Sequence, residues 1–180
     1  MPANIKELDK RIRSVRNTQQ ITRAMKMVAA AKLRRTQDRL LAGRPYGEKL
    51  TEMLAQLSRT TSIEHPFLQA RELRRRLVVV VSSDKGLCGS YNSNLIRLAQ
   101  TWLQENDAVE NHVYAVGRKA HDWFRRRRWP VVHAVIDMGG VIDVSRIHGV
   151  ADDLMKRYLD DEYQEVVIIH TRFLSTLSYR

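Results

Sequence analysis

Apolar side chains recur at helical spacing through the first third of the chain. Ile5, Leu8, Ile12 and Val15 follow a 3-4-3 rhythm, the seam of a coiled coil. Gln19 and Thr22 break that seam, and the apolar face resumes, rotated, at Ile21, Met25 and Val28. Ala29, Ala30 and Ala31 follow, small enough to let a partner helix approach closely. No glycine or proline interrupts the run before Gly43, so the pattern predicts one helix from near Asn4, a starting cap, to about Leu57. Such a helix would be about 80 Å long. Gly43-Arg44-Pro45-Tyr46-Gly47 predicts a bend rather than an end, because Leu50, Met53, Leu54 and Leu57 regain helical spacing beyond it.

The period changes near Leu77. Leu77 to Val81 is a β-branched run suited to a strand buried on both faces, and related runs occur at His112 to Val116, Val131 to Ile136 and Val166 to Thr171. Asn92 to Gln104, Arg118 to Arg127 and Asp143 to Leu159 read as helices between them. The expected organisation is a shaft helix over residues 1–59, kinked near 43–47, a connection over 60–76, and a small Rossmann-like α/β domain with a mostly parallel sheet over 77–180, truncated at its C-terminus.

A helix of this length outruns any domain of its own chain, which would be only about 30 to 35 Å across, so part of it must project and pack on something else. Charge sharpens the point. The formal net charge is +11, and up to Arg59 there are 14 Lys and Arg against 5 Asp and Glu. A basic arm of this kind suits a solvated face, an acidic protein groove, RNA or an anionic membrane surface. No apolar run exceeds five residues, far short of the roughly 20 that span a bilayer. The charged start lacks the pattern of a secretory signal and reads as untargeted.

Candidate chemistry is sparse. Cys88 is the one cysteine, with no neighbouring base in sequence to make it a nucleophile and no spacing for a metal site. The loop Ser82 to Asn92 carries Gly86 and Gly89 between a strand and a helix, where α/β folds often cradle phosphate. Its spacing matches neither phosphate-binding glycine motif, so it is expected to be a shaped turn that binds no nucleotide. His121, His133 and His148 are scattered singly, and Asp152-Asp153 with Asp160-Asp161-Glu162 are expected to flank and solvate a helix. Arg125 to Arg128, beside Trp129 and Pro130, could contact RNA or lipid headgroups, or complement the dipole of the helix they end. No catalytic residue, metal or cofactor is expected on this chain.

The stretches Ile5 to Leu8, Arg11 to Val15, Asn17 to Arg35, Arg44-Pro45-Tyr46 and Val80 to Gly89, in that order, closely resemble the gamma subunit of the F-type ATP synthase. The resemblance runs to Phe173 to Ser178 and is weakest from Thr101 to Gly149. It implies a non-catalytic central-stalk rotor that couples proton-driven rotation of a membrane ring to ATP synthesis on the beta subunits. Its implied partners are three alpha and three beta subunits, an epsilon subunit and the membrane c-ring, with no nucleic acid and no direct membrane insertion. The implied location is peripheral, on the cytoplasmic face of a bacterial inner membrane.

By the same resemblance, Arg23, Met25, Lys26, Val28 and Cys88 would meet the acidic levers of the beta subunits. Ile5, Leu8, Ile12, Val15 and Ile21 would form the seam with a second, C-terminal shaft helix. That helix and its motif do not follow Arg180, so the chain matches the N-terminal portion of the family. The plastid regulatory cysteine pair is also absent, since Cys88 stands alone. The rival reading is an RNA-binding protein with a basic helical arm, and a phosphate-binding enzyme ranks behind it.

Overall fold

The computed structural model describes residues 5–60, 65–138 and 143–175, which divide into two units at about residue 63. The first is a single helix, α1, Ile5–Thr60, of 56 residues. It continues through Pro45, whose missing N–H deprives the Leu41 carbonyl of its usual partner. Four threonine hydroxyls, those of Thr18, Thr22, Thr36 and Thr51, turn back onto carbonyls one turn earlier, so they present little polarity to a neighbour. Exposed pairs such as Glu7–Arg11 at 3.2 Å and Lys49–Glu52 at 2.8 Å add only about 0.2–0.5 kcal/mol each. The Asn4 cap lies outside the described residues. The helix runs on three residues past Leu57, to Thr60, the first residue of the expected connection.

The second unit alternates strand and helix: β1 Arg75–Val81, α2 Tyr91–Glu105, β2 Glu110–Val116, α3 Arg118–Arg126, β3 Val131–Val135, α4 Val144–Leu159 and β4 Glu165–Ile169. The sheet order is β3-β2-β1-β4 and every pairing is parallel. The architecture is thus mixed α/β, a long N-terminal helix followed by a Rossmann-like parallel sheet.

β1 explains the layering. Val78 and Val80 point to one face, where Leu95, Ala99 and Leu103 of α2 and Ala120 and Phe124 of α3 cover them. Leu77 and Val79 point to the other, with Tyr114, Tyr163 and the α4 residues Val150 and Leu154. Leu77 to Val80 are at most 2% exposed, which is about 1.5–3 kcal/mol of burial for each side chain. Right-handed crossovers account for the division, because β1→β2→β3 steps one way across the sheet and β3→β4 steps back past β1.

Acidic residues do more here than solvate. Asp153 lies within α4 and pairs with Arg157 at 3.1 Å, which also meets Glu162 at 2.9 Å. Asp161 pairs with Arg71 and Arg74 at 3.3 and 2.7 Å and accepts from the Gln164 amide, whose Oε1 accepts the Arg75 N–H at 2.9 Å. Buried Arg76 joins Glu165 and lies 5.1 Å over the Trp102 ring. The expectation of a merely solvated flank is therefore corrected: Asp161 locks the approach to β1 to the turn before β4, Gln164 satisfies backbone N–H groups at the sheet's amino edge, and Asp153 and Glu162 hold Arg157 of α4.

Gly117 closes the turn from β2 into α3 at φ 94°, and a Cβ there would sit 2.3 Å from the Ser82 carbonyl oxygen. Both the left-handed backbone and the overlap oppose any side chain. Gly117→Ala is expected to destabilise this unit by roughly 2–5 kcal/mol, read as a fall in the midpoint of denaturant unfolding followed by tryptophan fluorescence. A midpoint within error of the parent chain would refute the steric argument.

Candidate functional site

Two surfaces carry the residues singled out from the sequence. On α1, Ile5, Leu8, Ile12, Val15, Ile21, Met25 and Val28 are all exposed, between 46% and 76%. Arg23 and Lys26 are exposed beside Met25. The helix thus presents apolar side chains to solvent over much of its length, with cations interleaved. Cys88 belongs to the other unit, and is exposed in the β1–α2 loop.

That loop is held by hydrogen bonds at both ends. The Ser83 N–H donates to Asn92 Oδ1 at 3.1 Å, and Asn92 Nδ2 donates to Ser83 Oγ at 2.8 Å and to Cys88 Sγ at 2.9 Å. Ser83 Oγ lies 2.6 Å from the Lys85 carbonyl, to which it donates. The tip takes Leu87 and Gly89 through left-handed backbone at φ 61° and 58°. Leu87 is 97% exposed there.

Asp84 ties this loop to its neighbours. One carboxylate oxygen accepts the Arg118 and Asp137 N–H groups, each at 3.0 Å, and the other accepts the Met138 N–H at 2.8 Å. One side chain therefore joins the three loops that leave β1, β2 and β3. Partial burial pulls its pKa upward, but the three backbone donors and the Arg118 charge outweigh that and hold it below the ordinary carboxylate value. The sequence reading passed over Asp84, Ser82 and Gly117. The available signal was an acidic residue just past a buried strand, matched with a glycine just past the next one.

The first turn of α3, which Asp84 joins to this loop, is a poor phosphate cradle too. Its amides are already taken: Arg118 by Asp84, Lys119 by the Ser83 carbonyl at 3.1 Å and Ala120 by Ser82 Oγ at 2.8 Å. Protein oxygens, one of them charged, fill the place an anion would need. Among the described residues no three His, Cys, Asp or Glu side chains gather to hold a metal. His112 meets Tyr163 at 2.7 Å and Glu110 at 2.9 Å. The histidines singled out earlier serve locally, His121 beside Asp122 and His133 stacked on Tyr114.

The family profile described as ATP synthase matches residues 4–180. The chain belongs to the ATP synthase gamma-chain family. Curated gamma chains agree: that of Desulfitobacterium hafniense is 37% identical over 99% of this chain and 63% of its own length. That of Moorella thermoacetica is 43% identical over 97% of this chain and 62% of its own. The chain therefore spans less than two thirds of these relatives. Among solved structures, a chain from the central stalk and c-ring of the Tetrahymena thermophila mitochondrial ATP synthase superposes with a TM-score of 0.67 at 26% identity, covering 89% of this chain and 69% of that one. A chain of the Euglena gracilis mitochondrial ATP synthase rotor, at 19% identity and a TM-score of 0.66, shares the fold, with 98% of this chain and 60% of that one covered.

Two outcomes follow from this family member's loop geometry. Because the folded Asp84 pKa is depressed, its contribution is present above the unfolded value of about 3.9 and lost as pH falls through the folded one. Asp84→Asn should lower stability at neutral pH by about 1–2 kcal/mol and flatten the fall in stability below pH 4, measured by urea unfolding at stepped pH. An unchanged acid slope would remove Asp84 from that role. Equilibrium dialysis with labelled ATP should show no saturable micromolar binding to the isolated chain, and binding abolished by altering Gly86 and Gly89 would reverse the reading of the loop.

Proposed function

We propose that this chain is the N-terminal part of a central-stalk rotor subunit, in which α1 is one of two antiparallel shaft helices. The observation that carries the proposal is the exposed apolar face of a 56-residue helix in a chain of the gamma family. Ile5, Leu8, Ile12, Val15 and Ile21 form the seam toward the second helix. Arg23, Met25, Lys26 and Val28 meet the acidic levers of the beta subunits, where the cations attract and the smooth apolar side chains slide. Cys88 and the loop around it make a second contact with those levers, fixed in shape by Asp84 and Asn92.

In this reading the chain performs no catalysis. Three alpha and three beta subunits surround the shaft, and epsilon and the c-ring hold its foot at the membrane periphery, on the cytoplasmic face of a bacterial inner membrane. Proton flow turns the ring, and the asymmetric shaft makes better contacts with one conformation of each beta subunit at each angle. Only such differential contact can shift a conformational equilibrium. No described helix is long and apolar enough to cross a membrane, which fits a peripheral position.

Each large apolar side chain left in water forgoes about 1.5–3 kcal/mol of burial, and an unsupported helix is marginal. The expected result is that amides of Ile5 to Val28 exchange rapidly in the dilute isolated chain and slow by at least ten-fold when the alpha-beta ring or a C-terminal gamma helix is supplied in trans. Hydrogen exchange read residue by residue decides it. Strong protection of that stretch in a verified monomer would sink the shaft assignment.

A further inference from the structure

Four consecutive arginines, Arg125 to Arg128, remain outside the function proposed above. Arg125 and Arg126 end α3, where cations complement the helix dipole. The dipole does not account for Arg127 and Arg128, which lie beyond the helix. Arg128 adopts φ 61°, a left-handed position that glycine or asparagine would occupy at lower cost. All four are exposed, and none forms an ion pair among the described residues. Asp107, which shares a shallow cleft with Trp129, pairs with none of them.

The patch has a rigid floor. Arg127 lies 4.0 Å over the Trp123 ring, Trp123 packs edge-on against buried Phe124, and Trp129 also meets Phe124 edge-on. Both tryptophans are thus half-buried and partly covered, which leaves no open platform for stacking bases. The immediate surface also lacks an exposed aromatic anchor of the kind that dominates protein interfaces. What it offers is concentrated positive charge on a firm base, suited to a surface of anionic headgroups.

Sheet polarity gives this charge a direction. All strands are parallel, so the Ser82 to Asn92 loop leaves their carboxyl ends, whereas Arg125 to Arg128 lead into the amino end of β3. If that loop faces the beta subunits, the arginines face the opposite way, toward the membrane. We propose that Arg125 to Arg128 form a headgroup-binding patch directed at the anionic phospholipid that borders the ring holding the foot. The orientation rests on the proposed function, while the binding itself can be tested without any other subunit.

The three tryptophans, Trp102, Trp123 and Trp129, all lie in the α/β unit, so their fluorescence reports on that unit, and an α1 variant serves as the control for the basic helix. The full chain is titrated with phosphatidylcholine vesicles containing phosphatidylglycerol and a lipid with a nitroxide on its headgroup. Quenching is expected with these vesicles and not with neutral vesicles carrying the same label. Each arginine near an anionic leaflet is worth about five-fold in affinity, so R125Q/R127Q/R128Q should need roughly a hundred-fold more lipid for equal quenching. R125K/R127K/R128K, which keeps the charge, should stay within about three-fold of the parent chain. Near-UV circular dichroism checks that both variants are folded.

Vesicle binding without quenching overturns the proposal, as does unchanged quenching of the glutamine variant, or loss of quenching in the lysine variant. R34Q/R35Q/R39Q on α1 should leave quenching intact, and an equal loss there would show that the patch has no special part. If the glutamine variant loses affinity for labelled polyuridylate while vesicle quenching persists unchanged, the patch is a nucleic-acid contact instead. Failure of the stalk reading would show separately, in the exchange behaviour of α1 with the alpha-beta ring.

Discussion

The burial of β1 on both faces is the constraint from which the α/β unit follows. Leu77 to Val80 present apolar side chains alternately to the two sides of the sheet, and each side must be closed by a helix layer. Covering both sides requires crossovers in opposite directions across the sheet, which the order β3-β2-β1-β4 provides. A parallel sheet then has two chemically different edges. One gathers the loop Ser82 to Asn92 and the Asp84 hydrogen bonds, and the other gathers the arginine and carboxylate pairs around Asp161 and Glu165. Directionality useful to a stalk thus arises from the need to bury four side chains.

α1 obeys the opposite logic. Its apolar residues are spaced for contact yet remain exposed, and its threonine hydroxyls are turned inward to its own carbonyls. Surface ion pairs at 2.8 to 3.2 Å contribute too little to hold 56 residues helical by themselves. Its stability must come from tertiary packing, as it does for most protein helices. In the proposed shaft a second helix covers the seam from Ile5 to Ile21, and that need supplies a physical reason for a sequence to keep such a face.

Much of this architecture was legible from periodicity. The β-branched runs marked all four strands to within two residues at each end, and the seam with its rotation at Gln19 marked α1, because local pattern and burial agree there. The acidic residues of α4 and its following turn were misread for a definable reason. Asp161 acts on Arg71 and Arg74, some 90 residues away in sequence, and no period links such partners. Asp84 escaped notice similarly, since its three donors lie 34 to 54 residues further on. The glycines of its loop drew attention to backbone shape, whereas Gly117, where space is tightest, sat unremarked at a strand end. Cys88 was placed correctly in a loop, but the Asn92 amide on its Sγ follows from the turn geometry rather than from any motif.

The two surfaces proposed as contacts also differ in how they can transmit force. The Ser82 to Asn92 loop is fixed by Asp84 to the loops that follow β2 and β3 and by Asn92 within itself, so a load on exposed Leu87 or Cys88 is carried into the sheet without first reorganising the turn. The residues of α1 proposed as contacts are long and unbranched at Arg23, Met25 and Lys26, with many rotamers and no fixing bonds among the described residues. Such side chains tolerate a moving partner because no single geometry is favoured, and the thioether of Met25 adapts to changing surfaces. In the proposed stalk a fixed loop and a compliant helix face are complementary: the first would set an angular reference, and the second would let neighbours pass while still sensing charge. For a stalk, an energy that varies with angle requires the rigid element, and continued rotation requires that the remaining contacts never become a trap.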